Sequence, residues 1–140
     1  MTAPVQLRLV VEAEDFEAAL AFYRDALGLP EIAAFEGDGE ARVAILDAGR
    51  ATLELANPAQ KRMIDGIEAG GRQSPRIRVA FEVDDAEGAT RRLETAGATV
   101  IAEPVETPWR SRNSRLEGPA DLTLTLFEEQ GGEEHFVPLG

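Results

Sequence analysis

The chain repeats itself, and that repeat limits its fold more than any other feature. At an offset of 70 residues, Arg8 matches Arg78, Glu12 matches Glu82 and Asp15 matches Asp85. At the same offset Glu17 matches Glu87, Ala19 matches Ala89 and Ala26 matches Ala96. Near the end of each half, Thr52-Leu53-Glu54-Leu55 parallels Thr123-Leu124-Thr125-Leu126. Two copies of one supersecondary unit are implied. Each copy buries one sheet face under its own helix and leaves the other face in need of a partner. Two such sheets curling toward each other enclose a cavity, and cavities of that kind hold ligands.

The pattern inside each copy is βαβββ. In residues 6–11, Leu7, Leu9 and Val11 share one face and Arg8, Val10 and Glu12 the other, which predicts a strand. Asp15 is placed to cap a helix bearing Phe16, Ala19, Leu20, Tyr23 and Leu27, which Gly28 and Pro30 stop. Strands are expected at 31–35, 41–47 and 51–56, with a turn at Glu36-Gly37-Asp38-Gly39. The second copy begins with a strand carrying Ile77, Val79, Phe81 and Val83 on one face and Arg78, Ala80 and Glu82 on the other. Asp84-Asp85 caps its helix, and strands follow at 98–103, 112–117 and 122–128. The organisation is therefore a first module over 1–56, a polar connector over 57–75, a second module over 76–128 and an acidic tail over 129–140, all within one structural domain. A short helix is possible between Ala59 and Glu68.

Composition narrows the chemistry. Cysteine is absent, which removes disulfides, thiolate metal sites and thiol nucleophiles. His135 is the single histidine, so a Ser-His-Asp triad or a multi-histidine metal site within one chain is disfavoured. The net charge of −12 repels nucleic acid and anionic membranes. No apolar run approaches the roughly 20 residues needed to span a bilayer. The segment Met1-Thr2-Ala3-Pro4 lacks a basic region followed by an apolar one, so the expected compartment is the cytoplasm.

The paired βαβββ modules, the stretch from Asp15 to Leu29 ending in Phe22-Tyr23-Arg24-Asp25-Ala26-Leu27-Gly28-Leu29, and the closing Leu124-Thr125-Leu126-Phe127-Glu128 resemble the vicinal oxygen chelate superfamily. That superfamily includes glyoxalase I, extradiol dioxygenases, fosfomycin-modifying enzymes and bleomycin-resistance proteins. The resemblance implies an α+β glyoxalase/bleomycin-resistance fold, with curled mixed sheets around a cavity and modules paired within or between chains of a homodimer. It also implies where its enzymes hold a divalent metal: His or Gln on first strands and Glu on last strands. Carried over, those positions are Arg8, Arg78, Glu54 and Thr125, and only Glu54 keeps a typical ligand. Arginine is always protonated and cannot bind a cation. The chain therefore resembles more closely the non-enzymatic branch, which sequesters antibiotics without a metal or other cofactor. The leading expectation is a metal-independent protein that binds a bulky, oxygen-rich, aromatic compound and breaks no bond. The alternatives are a glyoxalase-like lyase or ring-cleaving dioxygenase with an altered metal site using Glu12, Glu82 or His135, and a partner-binding domain with a collapsed cavity.

The expected ligand-lining residues are Arg8, Val10, Glu12, Thr52, Glu54, Arg78, Ala80, Trp109, Thr123 and Thr125, with no catalytic residue and no metal ligand among them. Each has a plainer reading. Arg8 and Arg78 serve equally as surface charges or as ion-pair partners of Glu12, Glu82 or Glu54. Glu54 is either a lone surface acid or a counter-charge to one of those arginines. Trp109 is either a plug at the end of a barrel or a stacking platform. Arg110, Arg112 and Arg115 read as charges that solvate a strand and answer nearby acids, and His135 as an ordinary tail residue.

Overall fold

The computed structural model describes residues 6, 8–52 and 54–130. The chain divides into two compact units, Met1–Leu55 and Ala56–Gly140.

In the first unit, helix α1 (Phe16–Leu20) starts where its cap predicts. The Asp15 carboxylate accepts the Ala18 N–H at 3.1 Å. The helix then widens into a π-helical stretch over Ala21–Ala26, where the Leu27 N–H reaches the Phe22 carbonyl at 2.9 Å. Ala19, Leu20 and Phe22 are its buried side chains. Gly28, at φ 92, supplies the left-handed residue that releases the chain from the helix. Strands β1 (Glu31–Glu36) and β2 (Arg42–Leu46) form an antiparallel hairpin. Arg42 ties that hairpin to the helix: it pairs with Glu17 and stands 4.6 Å over the Phe16 ring.

The outer strands expected at 6–11 and 51–56 are not formed among the described residues of those segments. Leu7 and Leu53 lie outside the described residues, and the rest of both segments is irregular. The physical reason is the lack of a hydrogen-bonding neighbour. Apolar alternation records which face a strand would bury, but pairing is what makes the segment a strand. Val10 is 89% exposed and Leu55 86%.

The second unit carries the full pattern behind an added helix. Its elements are α2 (Pro58–Ala69), β3 (Val79–Glu82), α3 (Ala86–Thr95), β4 (Thr99–Glu106), β5 (Ser111–Gly118) and β6 (Leu122–Glu129). The four strands make an open mixed sheet in the order β3-β6-β5-β4. Strand β3 runs parallel to β6, with Ala80 opposite Thr125, and the other pairs are antiparallel. Asp85 caps α3 by accepting the Gly88 N–H at 3.1 Å, as Asp15 caps α1. One face of α3 buries Ala86, Ala89, Thr90 and Leu93. The buried leucines of the unit's strands are Leu116, Leu124 and Leu126. A buried hydroxyl pair, Thr90 and Ser114 at 2.8 Å, fixes the register of helix on sheet.

The connector is mostly helix α2. Asn57 caps it by accepting the Gln60 N–H at 2.9 Å, Pro58 occupies its first turn, and Gly70 ends it at φ 61. The tail beyond residue 130, with His135, lies outside the described residues. No helix among the described residues is long and apolar enough to cross a membrane.

Candidate functional site

Strand alternation sorts the sheet of the second unit into two faces. Ser114, bonded to Thr90, faces α3. Its neighbours Asn113 and Arg115 therefore face the opposite way, and both are bonded to Glu68 of α2. Cross-strand register adds Thr125 opposite Arg115 and Thr123 opposite Glu117 to that second face. Arg78, just before β3, reaches the same face and donates to the Thr125 hydroxyl at 2.8 Å. Four expected residues thus meet on one sheet surface: Arg78, Ala80, Thr123 and Thr125.

Beside them lies a cluster that the sequence does not announce. Arg115 is 1% exposed. Its guanidinium lies 2.9 Å from Asp65 and 3.0 Å from Glu68, both buried residues of α2. Asp65 also accepts from Lys61 at 3.0 Å, from the Ser74 N–H at 3.1 Å and from the Ser74 hydroxyl at 2.9 Å. Glu68 accepts the Asn113 amide at 2.6 Å. Two cations and two carboxylates make the cluster neutral, and nearly every lone pair has a donor. Burial alone would push the Asp65 carboxyl up. Lys61, the two Ser74 donors and Arg115 outweigh it and hold the group well below the usual carboxylate range. The reading of Arg115 as a charge that solvates a strand and answers nearby acids is corrected in its first half only: it answers Asp65 and Glu68, but it is buried between its strand and α2 and so does not solvate the strand. Arg112 does answer a nearby acid, Glu87, at 3.4 Å.

Next to this cluster the face opens into a cavity of about 460 Å³, whose walls include Arg72, Ser74, Thr99, Arg115, Glu117 and Thr123. Thr123 is the one expected site residue among them. Trp109 is half-buried in the tight turn between β4 and β5, where the Thr107 N–H meets the Ser111 carbonyl at 2.8 Å, and it does not line the cavity.

The expected residues of the first unit are spread along its irregular segments. Arg8, Val10, Glu12, Thr52 and Glu54 are all exposed. Arg8 bonds Gln6 at 3.0 Å, and no hydrogen bond or ion pair joins Arg8, Glu12 and Glu54 to one another among the described residues. Glu54 is accordingly a surface acid and not the partner of Arg8.

The donor set at Arg78 and Thr125 does not fit a divalent cation. A guanidinium is permanently positive and has no lone pair to give, and here it spends a donor on the hydroxyl. Among the described residues no group of three or more His, Cys, Asp or Glu side chains is placed to hold a metal.

Comparison with known proteins agrees with this architecture. The family model for the Glyoxalase/Bleomycin resistance protein/Dioxygenase superfamily matches residues 6–133, and the chain belongs to that superfamily. Among solved structures it is similar to a superfamily member from Sphaerobacter thermophilus, at 25% identity, covering 91% of this chain and 98% of that one with a TM-score of 0.58. It is also similar to a glyoxalase/bleomycin resistance protein/dioxygenase from Nocardioides, at 24% identity, 100% and 92% coverage and a TM-score of 0.53. A third is TnmS3, an antibiotic binding protein from Streptomyces sp. CB03234, at 21% identity, 93% and 100% coverage and a TM-score of 0.60. No curated protein matches the chain.

Proposed function

We propose that this chain sequesters an oxygen-rich, aromatic small molecule without metal, cofactor or bond cleavage. The observation that carries the reading is the half-buried Arg78 guanidinium donating to the buried Thr125 hydroxyl, on the sheet face whose Thr123 lines a cavity. Charge-assisted donors on such a face suit quinone, phenolate or carboxylate oxygens. The likeness to an antibiotic binding protein of the same superfamily supports the same direction. The non-enzymatic branch and a cytoplasmic homodimer belong to this proposal.

The test is calorimetric titration of the wild type and Arg78→Met with quinone, phenolate and aliphatic compounds. An aromatic oxygen-bearing ligand is expected to bind below about 100 μM. Arg78→Met keeps length but removes the donors, so it should weaken acidic ligands by about tenfold and apolar analogues little. Equal effects on both classes, or no binding by any of them, would reject the proposal.

A further inference from the structure

The cavity of the second unit shows which charges its ligand must carry. Arg115 forms part of its wall, but Asp65 and Glu68 neutralise that guanidinium from behind. Arg72 and Glu117 are different. Among the described residues, the Arg72 guanidinium donates to the Ile101 backbone carbonyl at 3.2 Å and meets no carboxylate, and the Glu117 carboxylate makes no hydrogen bond or ion pair. Two opposite charges line one cavity without meeting. Thr99 and Thr123 add hydroxyls that both donate and accept.

We infer that this cavity takes an amphoteric small molecule, with a carboxylate or equivalent acceptor directed to Arg72 and an ammonium or guanidinium directed to Glu117. A pure anion meets Glu117 as a like charge, and a pure cation meets Arg72 in the same way. Only a ligand bearing both signs satisfies both walls, and specificity comes as much from those repulsions as from the attractions. The inference rests on the reading that this sheet face binds a small molecule, since Thr123 stands two residues from Thr125 on one strand.

The test uses one scaffold in three charge states: phenylalanine, 3-phenylpropionate and 2-phenylethylamine, each titrated calorimetrically into the full chain. Phenylalanine should bind at least about tenfold more tightly than either singly charged probe. Arg72→Gln should abolish that advantage over 2-phenylethylamine, and Glu117→Gln the advantage over 3-phenylpropionate. Both residues are exposed, so thermal unfolding of the variants should match the wild type. Equal affinity for the three probes, no binding of phenylalanine, or variants that shift all probes alike would overturn the inference. A quinone that still binds in an Arg78-dependent way would then leave the broader proposal standing. Failure of the quinone as well would remove both.

Discussion

Asp65 is the residue on which the second unit's buried charge depends. Its carboxylate meets Arg115, Lys61 and both donors of Ser74. Asp65→Asn keeps the shape but leaves Arg115 with Glu68 alone and Lys61 without its acid. Breaking a buried pair in this way costs about 3–5 kcal/mol, because the remaining charge stays desolvated. Chemical denaturation should read that loss directly, and a loss under about 1 kcal/mol would show that the cluster is solvated in solution. The pH dependence follows the sign of the shift. The folded carboxyl is held below its unfolded value of about 3.9, so its contribution is present above that value and fades as pH falls toward the folded one. The wild type should therefore lose stability on acidification below about pH 4, and Asp65→Asn should show a flatter acid limb. None of this was legible in the sequence. Asp65 and Glu68 sit in a polar connector, Arg115 in an arginine-rich strand, and partners 47 to 50 residues apart carry no local signal. Arg78 and Thr125 were singled out in the sequence as positions that the family resemblance carries over, and alternation on a strand fixes a face, but that the two side chains touch is seen only in the structure.

At the scale of elements, the repeat contains its own control experiment. Asp15 caps Ala18 and Asp85 caps Gly88, each through a 3.1 Å bond to the N–H three residues on. A Cβ built on Gly88 would lie 2.5 Å from the Asp85 carboxylate oxygen, too close without movement. The obstacle is the end of a side chain that can turn, and the first unit shows the same cap formed over an alanine. Gly88→Ala should then gain most of the helix-propensity difference, about 0.5–1 kcal/mol of stability, seen as a higher melting temperature. A lower melting temperature would mean that the cap is lost instead, at a cost of about 0.5–2 kcal/mol. Helices were readable from the sequence because caps and periodicity are local. The strands of the second unit were readable because each found the neighbour its pattern implied. Residues 6–11 and 51–56 carry equally good alternation, yet a strand is a property of two segments, and alternation describes only one.

At the scale of the whole molecule, that unmet pairing has a consequence for association. In the second unit, β3 and β6 satisfy each other as parallel neighbours. The described residues of their counterparts in the first unit form no ladder, and Leu9, Val10 and Leu55 are exposed, as are Ile32 and Phe35 of β1. Segments that present unpaired backbone and exposed apolar side chains recruit a second chain, and a two-fold axis lets one surface serve both copies. A net charge of −12 per chain opposes that encounter at long range, so screening should favour it. Light scattering at micromolar concentration should give twice 15.1 kDa, with the dimer fraction rising between about 10 mM and 150 mM salt as the Debye length falls from about 30 to 8 Å. Val10→Lys places a charge on the most exposed large apolar side chain among the described residues and should shift the equilibrium to monomer, while leaving the second unit's fold and its Arg78-dependent binding intact. A monomer mass across the whole range of salt would reject the dimer. A dimer unaffected by Val10→Lys would move the interface away from the first unit's edges, because one buried lysine per copy on a two-fold interface leaves two unpaired charges facing the same seam.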